Sequence, residues 1–597
     1  MMRPDEVLSV LRPHGATENN WQVELVLEFI YWGVVALLTL VLLIFRPGIF
    51  RRVEGYFLRI SRNSAQALGF VVFSALALRL ALLPVLPIPE PIANDECSYL
   101  LQAKTFAMGR VTNPTPAMWV HFETFHVNMW PTYQSMYPPA NAMFLAPAYM
   151  LHVHPWWGVW LSIGLMCGAV CWMLQGWMPL PWAFLGGMFC VLRFATFSYW
   201  MNSYWGGAAA AIGGALVFGA LPRIKHSEKV RYPLIFVLGL ALLANSRPYE
   251  GLVVSIPAVI ALAVWLFGFR RRRPLQLAAF APAIALAAAV AAGMAYYNWR
   301  STGNPLDMPY AENQRQYHIS KPFIWQGRYP IPAYHHQVMR TMYVMHELPD
   351  YLSRKYPDAL LNMLELKVRV YYDFFVWPLF IVLAFSFRTM LRSRHVRLLG
   401  LTLLLFLAGL LVEQWPPHAQ YAAPGLCVVV ATVLFSLRLF RTLQVRGIPL
   451  GPMFVRAAVL CAGLWMAVPL VAAALNPFSV GLYSVMPPPL DRARLETQLE
   501  QQPGPQLLFV RTRRSNRGMF DWVYNQPDIP NAKVIWARDM GPQANQELIH
   551  AYPGRQMWIV DQDDGIMRLT PYGQQDQDLD PARILHVAAN QPVASNR

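Results

Sequence analysis

Charge is what this sequence has least of. Only 14% of its 597 residues are Asp, Glu, Lys or Arg, while 55% are hydrophobic. Soluble domains carry roughly 25% charged residues, so a soluble globular enzyme and a disordered scaffold are both excluded. Cysteine is scarce as well: Cys97, Cys167, Cys171, Cys190, Cys427 and Cys461. Five of them lie in apolar runs, and none has the spacing of zinc ligands or of a secreted disulfide framework. There is no Walker loop, no dinucleotide fingerprint, no solenoid repeat and no low-complexity tract. No signal peptide is evident, because the first apolar run follows a polar stretch holding Asp5, Glu6 and Glu24, with no small-residue cleavage site after it.

Long apolar runs are what the sequence does have. A helix needs about 20 mainly apolar residues to cross a bilayer. Twelve stretches qualify, near 25–45, 66–88, 156–174, 182–198, 205–222, 232–246, 251–269, 275–297, 372–387, 397–413, 420–437 and 453–474. The pattern predicts an all-α polytopic membrane protein of about twelve transmembrane helices. The net charge of +16 would point to nucleic acid if it were spread over a surface, but its placement points elsewhere. Basic residues fill one set of short loops (46–62, 223–231, 270–273, 388–397 and 438–446). The alternate set (199–204, 245–250 and 414–419) holds only Arg247. Basic loops face the cytoplasm, so segments 89–155, 298–371 and 478–597 are expected on the exoplasmic side. No nucleic-acid partner is expected.

The tail differs in kind. It is polar, with strand-like runs at 506–510, 533–536 and 556–560 and a helix-like run at 545–552, which predicts a small α/β domain. The expected organisation is an N-terminal segment with an additional helix (1–64), a transmembrane core (65–476) and an exoplasmic C-terminal domain and tail (477–597).

Chemistry should gather where polar residues interrupt the apolar pattern on one face. Asp95 and Glu96 follow the second run, and Tyr99, Leu100, Ala103 and Phe106 then recur at helical spacing, predicting a helix along the membrane surface. Adjacent carboxylates point in different directions, so one can act as a base while the other orients a partner or a metal. The plainer alternative is a helix N-cap. His121, Glu123 and His126 form an H-x-E-x-x-H cluster. Metal ligation and ordinary loop contacts both remain open there, since the spacing is not that of a zinc protease; whether a divalent metal takes part is left open. Tyr137-Pro138-Pro139 makes a rigid aromatic turn. Further polar groups lie in the short loops: Asn202 and Tyr204; Arg247 and Glu250; His418 and Tyr421. Arg79 and Arg193 fall within apolar runs, where a charge is either functional or snorkels to the interface. Arg247 is the best anion ligand of its set.

An enzyme on the exoplasmic face has no nucleotide sugar to use. A transfer there needs an activated donor that crosses the membrane as a lipid, and a polyprenyl-phosphate sugar fits. The stretch Asp95-Glu96, Tyr99-Leu100-Leu101, Ala103, Gly109-Arg110 and Tyr137-Pro138-Pro139 resembles the first exoplasmic loop of GT-C glycosyltransferases. It is most similar to the bacterial branch related to protein O-mannosyltransferases and the lipid A aminoarabinose transferase. Arg247-Pro248 and Gly303-Asn304-Pro305-Leu306 are weaker points of likeness. The resemblance covers roughly 65–440 and implies a helical core in a bacterial inner membrane and inverting transfer from a polyprenyl-phosphate sugar. It implies Asp95 as catalytic base on the periplasmic side, with Glu96 supporting it or binding the acceptor. Arg247 with Lys104 or Arg193 would hold the donor phosphate. Tyr99, His121, Glu123, His126, Tyr137, Asn202, Tyr204, Glu250, His418 and Tyr421 would line the substrate site. The acceptor would be a lipid, a glycan or a protein. The first apolar run and the tail depart from the family pattern. Two alternatives compete: a lipid or polysaccharide transporter, which would want polar groups near the midplane or internal repeats, and an O-antigen ligase or polymerase using a diphosphate-linked donor.

Overall fold

The computed structural model describes residues 21–45, 48–227, 229–267, 280–376, 394–475, 491–512, 521–562 and 568–573. Among them, eight helices are long and apolar enough to cross a membrane. They comprise Val26–Phe45, Ser64–Ala81, Trp156–Gln175, Ala208–His226, Pro248–Phe267, Ala281–Thr302, Ala419–Phe440 and Leu450–Val468. Leu180–Phe194, Arg231–Ala244 and Val396–Leu411 are shorter apolar helices. Eleven of the twelve expected stretches thus coincide with apolar helices, and the protein is a multi-pass helical membrane protein. The other stretch, 372–387, lies for the most part outside the described residues. The second helix ends at Ala81, short of the expected 88, because Pro84, Pro87, Pro89 and Pro91 follow in quick succession and proline cannot continue a helix.

The chain divides into two compact units. The first comprises Met1–Pro89, Trp156–Gly293 and Pro357–Pro487. Small residues let its helices approach closely. A β-carbon on Gly213 would lie 3.0 Å from the Gly239 carbonyl oxygen, and one on Gly239 would lie 2.8 Å from that of Gly213. Helices Ala208–His226 and Arg231–Ala244 therefore meet backbone to backbone. The additional first helix packs on the last one, Leu450–Leu475, through Tyr31, Val35 and Leu42 against Met453, Ala457 and Ala458. The Tyr31 hydroxyl donates to the Ala458 carbonyl at 3.1 Å.

The second unit comprises Glu90–Pro155, Met294–Tyr356 and Pro488–Arg597. Its first segment holds helix Asn94–Ala107 and a two-residue antiparallel pair, β1 (Val127–Asn128) with β2 (Gln134–Ser135). The helix stops at Gly109, whose φ of +71° suits the left-handed residue that closes a helix. The Arg110 amide there donates to the Thr105 carbonyl at 3.1 Å.

The C-terminal segment builds a four-stranded sheet in the order β4-β3-β5-β6, from β3 (Gln506–Thr512), β4 (Val534–Arg538), β5 (Gln556–Gln562) and β6 (Arg568–Pro571). β3 runs parallel to both β4 and β5, and β6 is antiparallel to β5. Helix Pro542–Ala551 makes the β4-to-β5 crossover. Side chains alternate across the sheet. On one face Leu508, Val510, Val534, Trp536 and Val560 pack on Leu495 and Leu499 of helix Asp491–Gln501. On the other, Leu507, Phe509, Ile535 and Ala537 share a core with Leu101, Phe122, Val127, Met129 and Tyr133 of the first segment. The tail and the first long loop are therefore built around one apolar core.

Candidate functional site

The acid pair is separated by helix geometry. Successive residues on a helix differ by about 100° in direction, so Asp95 and Glu96 face different surroundings. Glu96 is 2% exposed, and its Oε2 accepts from the backbone amides of Ile92 and Ala93, both at 2.9 Å. It thus binds amides at the helix start that have no intrahelical partner. The capping role considered for Asp95 is filled by its neighbour.

Asp95 instead meets the turn at 137 and the end of the 123–126 segment. Its Oδ1 accepts from the Tyr137 hydroxyl. His126 Nδ1 lies 3.6 Å from the same oxygen, and the two side chains are 24% and 23% accessible. Tyr137 stacks on Tyr99 with ring centroids 4.5 Å apart and meets the His126 ring edge-on at 5.8 Å. Gln102 donates to the Tyr137 carbonyl at 2.8 Å, and the Tyr137 amide donates to Ser135 Oγ at 3.1 Å. Ser98 donates to the His126 carbonyl at 2.7 Å. His126 has φ +60°, in the left-handed region that non-glycine residues seldom occupy and that clusters at functional sites. Burial holds its imidazole below the ordinary histidine range against the pull of Asp95, with His318 adding to the lowering. The arrangement is a partly accessible carboxylate with a tyrosine hydroxyl on one oxygen and, beside it, an imidazole whose pKa burial lowers.

The H-x-E-x-x-H residues go three ways. His121 is buried, and burial lowers its pKa. Glu123 is also buried. It accepts from Tyr317 at 3.0 Å and pairs with His335 Nδ1 at 2.7 Å, while His336 Nε2 lies 3.5 Å from the same carboxylate. Burial raises the Glu123 pKa, and His335, Tyr317 and Arg538 oppose that rise. Among the described residues no three His, Cys, Asp or Glu side chains gather as a metal ligand set. Lys104 is also held: its Nζ donates to Gln526 at 2.7 Å and lies over the Tyr149 ring, and burial lowers its pKa.

In the first unit, Arg247 stands 3.9 Å from Glu250 and lies over the Tyr421 ring at 4.6 Å. Tyr421 meets His418 edge-on, and His418 in turn meets Trp205. Arg247, Glu250, His418 and Tyr421 thus form one cluster. Arg193 is bound differently, donating to the carbonyls of Phe374 (3.0 Å) and Asp373 (2.7 Å). Arg79, fully buried, donates to Asn202 and to the carbonyls of Leu86 and Pro87. Asn202 is thereby a partner of Arg79, and the Tyr204 hydroxyl donates to the Pro89 carbonyl at 2.9 Å.

Sequence reasoning passed over Tyr317, His335, His336, Asp521 and Arg538. The His335-His336 doublet was the one local signal; Asp521 and Arg538 sit in a tail with no motif.

No family model matches the chain, and no curated protein does. Among solved structures, the chain is similar to ArnT from Cupriavidus metallidurans in the apo state, with 12% identity and a TM-score of 0.47 over 83% of this chain and 93% of that one. The same protein bound to undecaprenyl phosphate gives 13% identity and a TM-score of 0.42 over the same shares. The Archaeoglobus fulgidus oligosaccharyltransferase complexed with Zn and sulfate gives 11% identity and a TM-score of 0.41 over 83% of this chain and 67% of that one.

Proposed function

We propose that this protein is an inverting glycosyltransferase that moves a sugar from a polyprenyl-phosphate donor to an acceptor hydroxyl on the exoplasmic face of a bacterial inner membrane. The observation that carries the reading is Asp95, presented at a helix start with Tyr137 on one oxygen and His126 beside it. The first-loop resemblance described above supports the same assignment. Asp95 takes the acceptor hydroxyl proton while the acceptor oxygen attacks the anomeric carbon opposite the phosphate. The glycosidic bond to phosphate breaks, and polyprenyl phosphate leaves. Tyr137 orients the carboxylate. Arg247 binds the donor phosphate, where a guanidinium gives two parallel hydrogen bonds. Arg193 and Lys104, which donate to the carbonyl oxygens of Phe374, Asp373 and Gln526, are the other candidates.

The experiment is sugar transfer by purified protein from a panel of undecaprenyl-phosphate hexoses and pentoses, with undecaprenyl phosphate binding measured in parallel. Asp95→Asn should lose transfer and keep binding. Wild-type transfer by Asp95→Asn would refute the base assignment. The orientation has its own test. Cysteines placed at Leu306, which is 87% exposed, and at the exposed His550, in a cysteine-depleted background, should react with a membrane-impermeant thiol reagent in intact spheroplasts. Labelling only after lysis would put both segments on the cytoplasmic side.

A further inference from the structure

The residues that frame Asp95 are held from the C-terminal segment. Asn94 accepts at Oδ1 from the Asp521 amide at 3.1 Å. The Thr124 hydroxyl donates to Asp521 Oδ2 at 2.7 Å. Arg538 donates from two nitrogens to the Glu123 carbonyl, at 3.0 and 2.9 Å, and from a third to Asp521 Oδ1 at 2.9 Å. The Tyr524 hydroxyl donates to the Phe125 carbonyl at 2.9 Å. Three consecutive residues, 123 to 125, are therefore each bound by a different group from the tail. The fourth is His126, which faces Asp95. The ion pair itself is out of solvent, with side chains 4% and 1% accessible. Burying such a pair carries a desolvation cost that well-packed apolar residues of similar volume would avoid. Stability alone does not explain it, but apart from the Val523 amide on Asp521 its bonds to other residues lead to Asn94, Glu123 and Thr124, on the two sides of the Asp95–His126 gap.

We propose that Asp521 and Arg538, with Tyr524, are positioning residues that set the spacing of His126 and Asp95 for the transfer step. This rests on the reading of Asp95 as the base. The titratable groups facing His126 are Asp95, Tyr137 and His318. Releasing the 123–126 segment hydrates the imidazole and returns it toward ordinary histidine titration. A protonated His126 would then pair with Asp95 and suppress its action as a base in mildly acidic solution.

The test uses the full chain in detergent or nanodiscs, with the same donor panel and with undecaprenyl phosphate as binding probe. Arg538→Met should lower kcat by about tenfold to a hundredfold, the scale of a misplacement of roughly 1 Å. KM and undecaprenyl phosphate binding should stay unchanged, and the acid limb of the kcat profile should move to higher pH. Arg538→Lys keeps the charge toward Asp521 but cannot make both bonds to the Glu123 carbonyl. It should show the same pH shift with a smaller loss, and it serves where Arg538→Met does not fold. Arg555 is the control. It donates to the carbonyls of Gln506, Ala532 and Pro530, all within the C-terminal segment, and Arg555→Met should leave the pH profile in place. A folded Arg538→Met protein with wild-type kcat and pH profile overturns the proposal, as does an equal effect from Arg555→Met. If Asp95→Asn is inactive in the same series, only the positioning claim has failed; if it is fully active, the base assignment has failed as well.

Discussion

Two places in the second unit set a carboxylate against a tyrosine and a histidine to different ends. At one, Asp95 meets Tyr137 and His126; at the other, Glu123 meets Tyr317 and His335. The difference lies in closure. Glu123 is 2% exposed and makes hydrogen bonds to tyrosine and histidine while its backbone carbonyl holds Arg538. Asp95 keeps about a quarter of its side chain accessible and has its histidine beyond hydrogen-bonding distance. A carboxylate closed in by donors holds chain segments together, whereas one that a hydroxyl substrate can still reach has chemistry open to it. Each carboxylate has a tyrosine and a histidine for neighbours, and accessibility is the clearest difference between them.

The sharpest way to break this comparison is to neutralise both acids. Asp95→Asn should cost about 10²–10⁴-fold in transfer rate, the usual contribution of a general base, with donor binding retained. Arg247→Ala comes next: losing a charge-assisted contact of roughly 1.5–3 kcal/mol should weaken undecaprenyl phosphate binding by about one to two orders of magnitude, and Arg247→Lys should restore part of it. Unchanged binding in Arg247→Ala would send the search for the phosphate site to Arg193 or Lys104. Tyr137→Phe should lower kcat by about tenfold, since one hydrogen bond to an ionised group is removed. Because a hydroxyl donor favours the ionised carboxylate, the acid limb of the rate profile should rise.

Glu123→Gln is the smallest effect and the one that sharpens the contrast. Transfer should stay within about threefold of wild type, as expected for a group outside the chemical step. Its effect should appear in stability. Burial raises the Glu123 pKa in the folded chain, so between the ordinary carboxyl value and the raised one the folded state binds more protons than the unfolded state. Glu123 therefore favours folding below that window, and its contribution is lost as pH rises through the folded value. The Tm of Glu123→Gln relative to wild type should climb from pH 4 to pH 8. A flat difference would mean that Glu123 is ionised in the fold.

Much of the helical architecture was legible because long apolar runs admit few alternatives in a bilayer. The tail strands were legible for a different reason, since 506–510, 533–536 and 556–560 are bounded by turn residues and rich in strand formers. Asp95 stood out as an acid just past an apolar run. Its division of labour with Glu96 did not, because which carboxylate turns toward the amides of Ile92 and Ala93 depends on where the helix begins after the prolines. His121, Glu123 and His126 read as one cluster in sequence because spacing in a loop carries no direction. The partners of Glu123 lie some two hundred positions away, and no local pattern reports them. Arg79 and Arg193 looked alike as intramembrane charges, and in the fold both guanidiniums donate to backbone carbonyls from elements the sequence could not bring to them.

The shared core of the second unit also bears on the order of synthesis. Leu101, Phe122, Val127, Met129 and Tyr133 are made early, and the strands that cover them, from Leu507 to Ala537, are made near the end. Until those strands arrive, these five residues lack their sheet cover, and the loop has no Asp521 amide for Asn94 and no Arg538 for the Glu123 carbonyl. The nascent protein thus inserts its helices before its acid helix has a finished setting. A chain that stops before the tail has neither the sheet over its first loop nor the bonds that hold Asn94 and the Glu123 carbonyl.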